Sequence, residues 1–219
     1  MKLPLLFKRL CNNSHDLKLS MPLVLSAPWA WVALFFTFFL PHCWAGAQQQ
    51  EALSDSVRAG LHQAVSDSSA PEFLDPVTGK YWLNAMSPRL KKYMPDQSTG
   101  EDFLRTVHYE AVRAGLDPQM VLALIQVESG FRKYAVSSAG ARGFMQVMPF
   151  WVESIGLPQQ NLFHLRTNLR FGCTILRHYL DIEHGNLNRA LSRYNGSLNQ
   201  QNYANSVIFA WHQNWAYRQ

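Results

Sequence analysis

The segment from Asp117 to Glu128 constrains the fold more than any other, because it is almost wholly apolar between its two acidic ends. Asp117 followed by Pro118 is typical of a helix start, since aspartate caps a helix N-terminus and proline is tolerated at the first helical position. Apolar residues on every side of this helix predict that it is buried on every side. Other elements of the chain must therefore surround it.

A single acid, Glu128, ends this helix, and Ser129-Gly130 supplies the stop signal. The unpaired carbonyl groups at a helix C-terminus favour the protonated form of a carboxyl group by roughly 0.3 to 1 kcal/mol. Raising a glutamate pKa from about 4.3 to a value near 6, which suits a general acid, would mostly require burial. Glu128 is therefore the candidate catalytic acid. The alternative is a glutamate at the edge of a core helix that points into water.

Three further blocks carry groups that suit a sugar ligand. A run of small residues from Ser137 to Gly143 lets the backbone approach a flat ligand closely. In the next block, Met145 to Met148, the amide of Gln146 both donates and accepts hydrogen bonds. The block from Arg193 to Gly196 places a phenol and an amide at a predicted helix end. Taken singly, the second block is also explained by core packing and the third by a helix stop.

Taken together and in order, these blocks resemble the catalytic domain of the soluble lytic transglycosylase family, goose-lysozyme-like enzymes that cleave bacterial peptidoglycan. The resemblance extends over about residues 101–215, and several spaced motifs make it more specific than one short motif. Phe144 and Arg193 depart from the family, which usually has leucine and alanine at these places. The matching residues are Glu128-Ser129, Ser137, Gly140-Ala141, Gly143, Met145-Gln146, Met148-Pro149 and Tyr194-Asn195-Gly196.

The resemblance implies that Glu128 is the single catalytic acid and base. It implies cleavage of the β-1,4 bond between MurNAc and GlcNAc without water, which leaves a 1,6-anhydroMurNAc end. The substrate-binding residues that it implies are Ser137, Gln146, Met148, Tyr194 and Asn195.

Two other functions are compatible with the sequence. A hydrolytic muramidase of goose-lysozyme type would need a second acid to hold a water, for which Glu153, Asp181 and Glu183 are the candidates. A non-catalytic glycan-binding or scaffold protein would keep the cleft without using the acid. No metal site is predicted, because the histidines lack the paired spacing of a zinc site, and no cofactor is expected.

The first 47 residues are typical of an export signal. Four basic residues precede an uncharged stretch from Leu23 to Leu40, and Ala45-Gly46-Ala47 offers the small residues of a signal-peptidase site. We expect cleavage before Gln48, with an uncleaved membrane anchor as the alternative and Met21 as an alternative start. The expected location is the periplasm or the cell envelope. The expected partners are peptidoglycan glycan strands, with wall turnover or a cell-envelope machine as the setting.

Removal of this leader changes what the net charge implies. It takes away four of the 20 Lys and Arg and one of the 15 Asp and Glu, so the net charge falls from +5 to +2. So small a charge gives little electrostatic support for nucleic-acid binding. Cys173 is then the only cysteine, so a disulfide within the chain is excluded, and its apolar neighbours predict packing rather than reactivity.

The periodicity of the remaining chain predicts a mainly α-helical, lysozyme-like fold with little or no β-structure. Residues 48–98 are interpreted as an N-terminal helical segment and linker, with a helix break at Ser87-Pro88. Residues 99–217 are interpreted as the catalytic domain, whose first helix is capped by Ser98 or Thr99. Helices are expected at 53–65, 101–114, 118–128, 145–155, 168–184, 187–194 and 201–216.

Overall fold

The computed structural model of the protein describes residues 48–67, 73, 75–198 and 200–217. This part of the chain is helical and contains no β-strand, which confirms the predicted mainly α-helical fold. Its extended pairing is confined to two isolated antiparallel bridges, from Val136 to Arg142 and from Arg142 to Val147. The export signal predicted for residues 1–47 lies outside the described residues.

The described residues form eight α-helices and one π-helical turn. None of these helices has the length and apolar character that crossing a membrane requires. In chain order they are α1 Asp55–Ser66, α2 Pro76–Leu90, α3 Gln97–Arg113, α4 Pro118–Ser129, α5 Phe150–Ile155, α6 Leu165–Ile182, α7 Leu187–Tyr194, α8 Asn202–Ala210 and the π-helical turn Trp211–Trp215.

Helix α4 lies at the centre of the fold, as its apolar sequence predicts. The side chains of residues 120–125 are all buried, and α4 packs against α3, α8 and the π-helical turn. Its N-terminus is capped by the Asp117 carboxylate, which accepts the N–H groups of Gln119 at 2.7 Å and Met120 at 3.1 Å. Gly130, with φ of +56°, ends the helix in the left-handed conformation that glycine adopts without strain.

Helix α2 does not break at Ser87-Pro88, so that prediction is wrong. The helix continues through the proline and ends at Leu90. Pro88 lies close to the helix end, where the lost N–H interrupts only the last turn. The Ser87 hydroxyl also donates to the Leu83 carbonyl at 2.8 Å, which adds a hydrogen bond to the same turn.

Helix α3 begins earlier than predicted, because Asp96 is its cap rather than Ser98 or Thr99. The Asp96 carboxylate accepts the N–H of Thr99 at 2.8 Å, three residues into the helix. Helix α3 ends at Arg113, one residue before the end expected at residue 114, and Gly115 follows with φ of +66°.

The helix predicted over 145–155 is present only from Phe150 to Ile155. Residues 145–149 instead belong to a loop that folds back on itself, since Arg142 and Val147 exchange backbone hydrogen bonds of 2.9 and 3.0 Å. Gly143 and Gln146 have φ values of +76° and +49°, and neither conformation fits an α-helix.

The N-terminal segment packs onto the rest of the fold through α1. Helix α1 contacts α5 and α6. A ring nitrogen of His62 lies 2.9 Å from the Ile155 carbonyl, and Arg113 donates to the Ala64 carbonyl at 3.0 Å.

A buried ion-pair cluster joins α3 to α6. Arg113 pairs at 3.0 Å with the fully buried Glu110, which accepts a second charged hydrogen bond of 2.7 Å from Arg170. With Arg166 at 3.7 Å, three arginines thus compensate the buried carboxylate that joins α3 to α6.

Candidate active site

Glu128 lies in the last turn of α4, where its half-buried carboxylate accepts a hydrogen bond from the hydroxyl of Tyr203. Burial raises the pKa of Glu128 to about 7, and the Tyr203 hydrogen bond opposes this shift because it stabilises the ionised form. Near neutral pH the carboxyl group therefore exists in both protonation states. A group of this kind can donate a proton in one step and accept one in the next.

Tyr203 was missed by the sequence analysis. It lies in the first turn of α8, is 3 % exposed, and is 75 positions from Glu128 along the chain. Burial and the neighbouring Glu128 charge both raise the pKa of the Tyr203 hydroxyl well above its usual value, so it stays a hydrogen-bond donor. The sequence signal that could have indicated its burial is the spacing of Tyr203, Val207 and Ala210, which places all three residues on one helix face.

The loop from Ser137 to Met148 is held by hydrogen bonds within itself and to the preceding Ala135. The Ser137 hydroxyl accepts the N–H of Ala141 at 3.0 Å. The Gln146 amide nitrogen donates to the carbonyls of Ala135 at 3.2 Å and Gly143 at 2.9 Å. These bonds fix the orientation of the Gln146 amide, while no described residue donates to its Oε1. The predicted sugar contacts of Ser137 and Gln146 stay predictions.

Asn168, on α6, holds this loop in place through its side chain and was also missed by the sequence analysis. Its side chain is fully buried and makes three hydrogen bonds of 2.8 to 2.9 Å. It accepts the N–H of Met145 and donates to the carbonyls of Arg142 and Leu162. A Cβ on Gly143 would lie only 2.5 Å from the Asn168 amide nitrogen, so the absence of a side chain there permits this packing.

Tyr194 is fully buried at the end of α7, where its hydroxyl donates to the Met145 carbonyl at 2.7 Å. Burial, together with the Glu128 charge, raises the pKa of Tyr194 well above its usual value. The structure thus brings Tyr194 close to both Glu128 and the loop, although its hydroxyl is used inside the protein. Direct sugar contact by Tyr194 stays a prediction.

Asn195 and Met148 occupy the remaining predicted positions. Asn195 is buried at the C-terminal end of α7 and donates from its amide to the Ser197 hydroxyl at 3.2 Å. Met148 is half-buried, and its N–H donates to the side chain of Gln48 at 3.2 Å. Their contacts with sugar likewise stay predictions.

Cys173 is a core residue, as the sequence predicts. Its thiol is buried 4.0 Å from the sulfur of Met145, and burial raises the pKa of the thiol far above its usual range. A thiol that stays protonated is a poor nucleophile.

The three acids that a hydrolytic mechanism would draw on lie in other environments. Asp181 forms an ion pair with Arg177 at 2.6 Å. Glu183 is paired with Arg189 and, at 2.7 Å, with Arg193, and these two arginines hold the pKa of Glu183 below its usual value. Glu153 is exposed in the first turn of α5. In the part of the chain that the structure describes, no three His, Cys, Asp or Glu side chains cluster as metal ligands.

Comparison with known proteins supports the resemblance to lytic transglycosylases independently of the structure. The family described as the transglycosylase SLT domain matches residues 105–208, which include Glu128, the loop, Asn168 and Tyr203. No solved structure gives a significant match to this chain.

Several relatives align with part of the chain. A protein named "Transglycosylase" from Enterobacteria phage PRD1 is 35% identical over 98 residues, 45% of this chain and 36% of that protein. "Membrane-bound lytic murein transglycosylase C" from Actinobacillus pleuropneumoniae serotype 5b (strain L20) is 47% identical over 47 residues, 22% of this chain and 13% of that protein. The protein of the same name from Haemophilus influenzae (strain PittEE) is 36% identical over 66 residues, which are 30% of this chain and 16% of that protein.

The aligned region spans little more than a third of the phage relative and less of the other two. The family match covers the helices that position the candidate acid, and the predicted motifs fall inside it. Residues 105–208 of this chain are therefore similar to the transglycosylase SLT domain, and this similarity supports the family resemblance that the sequence motifs indicate.

Proposed function

We propose that this chain is a peptidoglycan lytic transglycosylase that cleaves the β-1,4 bond between MurNAc and GlcNAc with Glu128 as its single acid and base. The observation that carries the proposal is the Glu128 carboxyl group, whose pKa of about 7 arises from burial inside the SLT domain. The relatives from Actinobacillus and Haemophilus are named as lytic murein transglycosylases, which supports murein as the substrate class.

The reaction begins with protonated Glu128, which donates its proton to the glycosidic oxygen as the bond from C1 of MurNAc to that oxygen breaks. GlcNAc leaves with a free hydroxyl group. The resulting Glu128 carboxylate then removes the proton from the 6-hydroxyl of MurNAc while that oxygen forms a bond to C1. The product is a 1,6-anhydroMurNAc end, Glu128 is protonated again, and no water is consumed.

The Tyr203 hydroxyl has a defined part in this sequence. It donates to the Glu128 carboxylate and therefore stabilises the ionised form, which exists between the two proton transfers. In the protonated form the same contact keeps the carboxyl group in one orientation. Tyr203 is thus a positioning residue for Glu128.

A hydrolytic muramidase is the second candidate, and the environment of the other acids argues against it. Hydrolysis with inversion requires a second carboxylate that activates a water on the opposite face of the sugar. Asp181 and Glu183 are occupied by arginine ion pairs, and Glu153 is exposed on α5. These positions support a mechanism with one carboxylate.

Mass analysis of the products tests the choice between the two reactions. Purified sacculi are digested with the full chain, and the released fragments are compared with those from a muramidase of known hydrolytic activity. We expect MurNAc ends that are lighter by the mass of one water than hydrolytic ends. Ends with the full mass of reducing MurNAc would contradict the transglycosylase proposal and favour hydrolysis.

We place this activity at the cell envelope, where peptidoglycan lies. The word "membrane-bound" in the names of the Actinobacillus and Haemophilus relatives supports this location. Cleavage of the leader before Gln48, retention of the leader as an anchor, and work within a cell-envelope machine are proposals of the same kind. Sequencing the N-terminus of protein extracted from the envelope distinguishes a cleaved leader from a retained anchor.

We predict that the catalytic rate declines as the pH rises through about 7, because the first step needs protonated Glu128. Replacement Tyr203→Phe removes a hydrogen bond that lowers the pKa of Glu128, so the alkaline limb of the pH profile should move to higher pH. The measurement is kcat/KM for glycan cleavage between pH 5 and 9.

Tyr109→Phe is the matched control for this prediction, since the Tyr109 hydroxyl makes no hydrogen bond to a described residue. Its alkaline limb should coincide with that of the unmodified chain. An alkaline limb that stays in place in Tyr203→Phe would contradict the assignment of Tyr203 as the partner of Glu128.

A further inference from the structure

The segment from Gln48 to Glu51, here named the N-terminal strap, precedes α1 and lies outside the matched SLT domain. Gln48 is only 5 % exposed, although the residues that follow it are exposed. Its amide nitrogen donates to the Gln146 carbonyl at 3.4 Å, and its amide oxygen accepts the N–H of Met148 at 3.2 Å. The Gln48 side chain thus forms hydrogen bonds with a backbone carbonyl and a backbone N–H. These two groups, the Gln146 carbonyl and the Met148 N–H, are called the backbone edge below.

A second contact fixes the other end of the strap. The Glu51 carboxylate pairs with Arg193 at 2.6 Å, and Arg193 pairs in turn with Glu183. Arg193 directly precedes Tyr194, so this ion pair holds the strap beside the end of α7. Gln49 and Glu51 also line a cavity of about 350 Å³ together with Arg193 and Gly196.

The chemistry of the Gln48 contact is that of an acetamido group. An acetamido sugar presents an N–H donor and a C=O acceptor on the same amide, as a glutamine carboxamide does. The Gln146 carbonyl and the Met148 N–H are the complementary pair. While Gln48 is bound, this backbone edge is not open to an acetamido group of the glycan.

We propose that the N-terminal strap is an autoinhibitory element, in which Gln48 occupies an acetamido-binding edge and the Glu51 ion pair with Arg193 holds it there. The inference rests on the proposed function, because it takes an acetamido glycan as the ligand. The glycan binds only to the fraction of molecules from which the strap has moved away. Its apparent affinity is reduced in proportion to that fraction.

The experiment measures binding of tri-N-acetylchitotriose to the full chain by calorimetry, in a Glu128→Gln background so that the ligand is not consumed. Gln48→Ala removes both contacts with the backbone edge and should tighten binding by about 3- to 10-fold. Glu51→Gln weakens the second contact and should shift the affinity in the same direction. Gln50→Ala is the matched control, since Gln50 is exposed and makes no hydrogen bond to a described residue, and its affinity should be unchanged.

Hydrogen exchange supplies a readout that needs no ligand. The Met148 N–H donates to Gln48, so its exchange with solvent should become faster in Gln48→Ala and stay unchanged in Gln50→Ala. Unchanged Met148 exchange in Gln48→Ala would overturn docking of the strap.

Unchanged or weaker sugar binding in Gln48→Ala would overturn inhibition by the strap. The proposed function would still stand if the unmodified chain releases anhydro ends from sacculi. A lack of sugar binding in every variant, together with a lack of cleavage, would overturn both proposals.

Discussion

Replacement Glu128→Gln is expected to reduce glycan cleavage by a factor of about 10² to 10⁴ while the protein remains folded. Glutamine is nearly the same size as glutamate, and its amide oxygen can still accept the hydrogen bond from Tyr203. It cannot donate a proton to the glycosidic oxygen or remove one from the 6-hydroxyl. The measurement is the rate at which anhydro ends are released from purified sacculi.

The stability of the Glu128→Gln variant shows whether a loss of activity comes from the missing proton transfer or from misfolding. Because the pKa of Glu128 is raised from 4.5 to about 7 in the folded protein, the unfolded chain ionises this carboxyl group first as the pH increases. Glu128 therefore lowers the stability of the unmodified protein as the pH rises between these two values, and Glu128→Gln lacks this contribution. At pH 8 we expect the variant to be more stable by about 1 to 3 kcal/mol, with little difference at pH 4.

Two outcomes would contradict this assignment. A Glu128→Gln variant that keeps more than about a hundredth of the rate would exclude Glu128 as the acid and base. Equal stability of the two proteins at pH 8 would show that the pKa of the carboxyl group is not raised by burial.

Replacement Asn168→Ala is expected to lower the free energy of unfolding by about 3 kcal/mol and to reduce cleavage strongly. It leaves the Met145 N–H and the carbonyls of Arg142 and Leu162 without their buried partner. These groups hold the loop that carries Gln146, so the loop should lose its arrangement before the helices unfold. Urea denaturation measures the stability, and the sacculus assay measures the activity.

Asn161→Ala is the matched control for Asn168→Ala. Asn161 is exposed, and its side chain accepts only the N–H of Phe163 at 2.9 Å. Its replacement should cost less than about 1 kcal/mol and leave cleavage unchanged. A similarly small loss in Asn168→Ala would contradict the role of Asn168 as the support of the loop.

The features that local sequence signals control were predicted well. The start of α4 at Asp117-Pro118 and its stop at Gly130 depend on a side-chain cap and on glycine geometry, which act within a few residues. The burial of α4 follows from its composition alone. Glu128 could be selected because it is the single acid in that helix, although the size of its pKa shift depends on distant residues.

The errors arose where several local conformations fit one sequence pattern. Met145, Val147 and Met148 are apolar in a pattern that suits a buried helix, yet tertiary contacts impose a loop with positive φ at Gln146. The Asp96 cap was missed because Ser98 and Thr99 are equally good capping residues. Tyr203 and Asn168 act through contacts that are distant along the chain, and no single sequence carries a signal for such pairs.

The Glu128–Tyr203 contact has a consequence for the order in which the protein is made. Ribosomes synthesise Glu128 75 residues before Tyr203, so a nascent chain can form α4 while α8 does not yet exist. During that interval the acid has neither its hydroxyl partner nor the burial that α8 provides against α4. The unfinished chain therefore lacks two contacts that shape the environment of Glu128, and the candidate acid acquires them only when α8 docks.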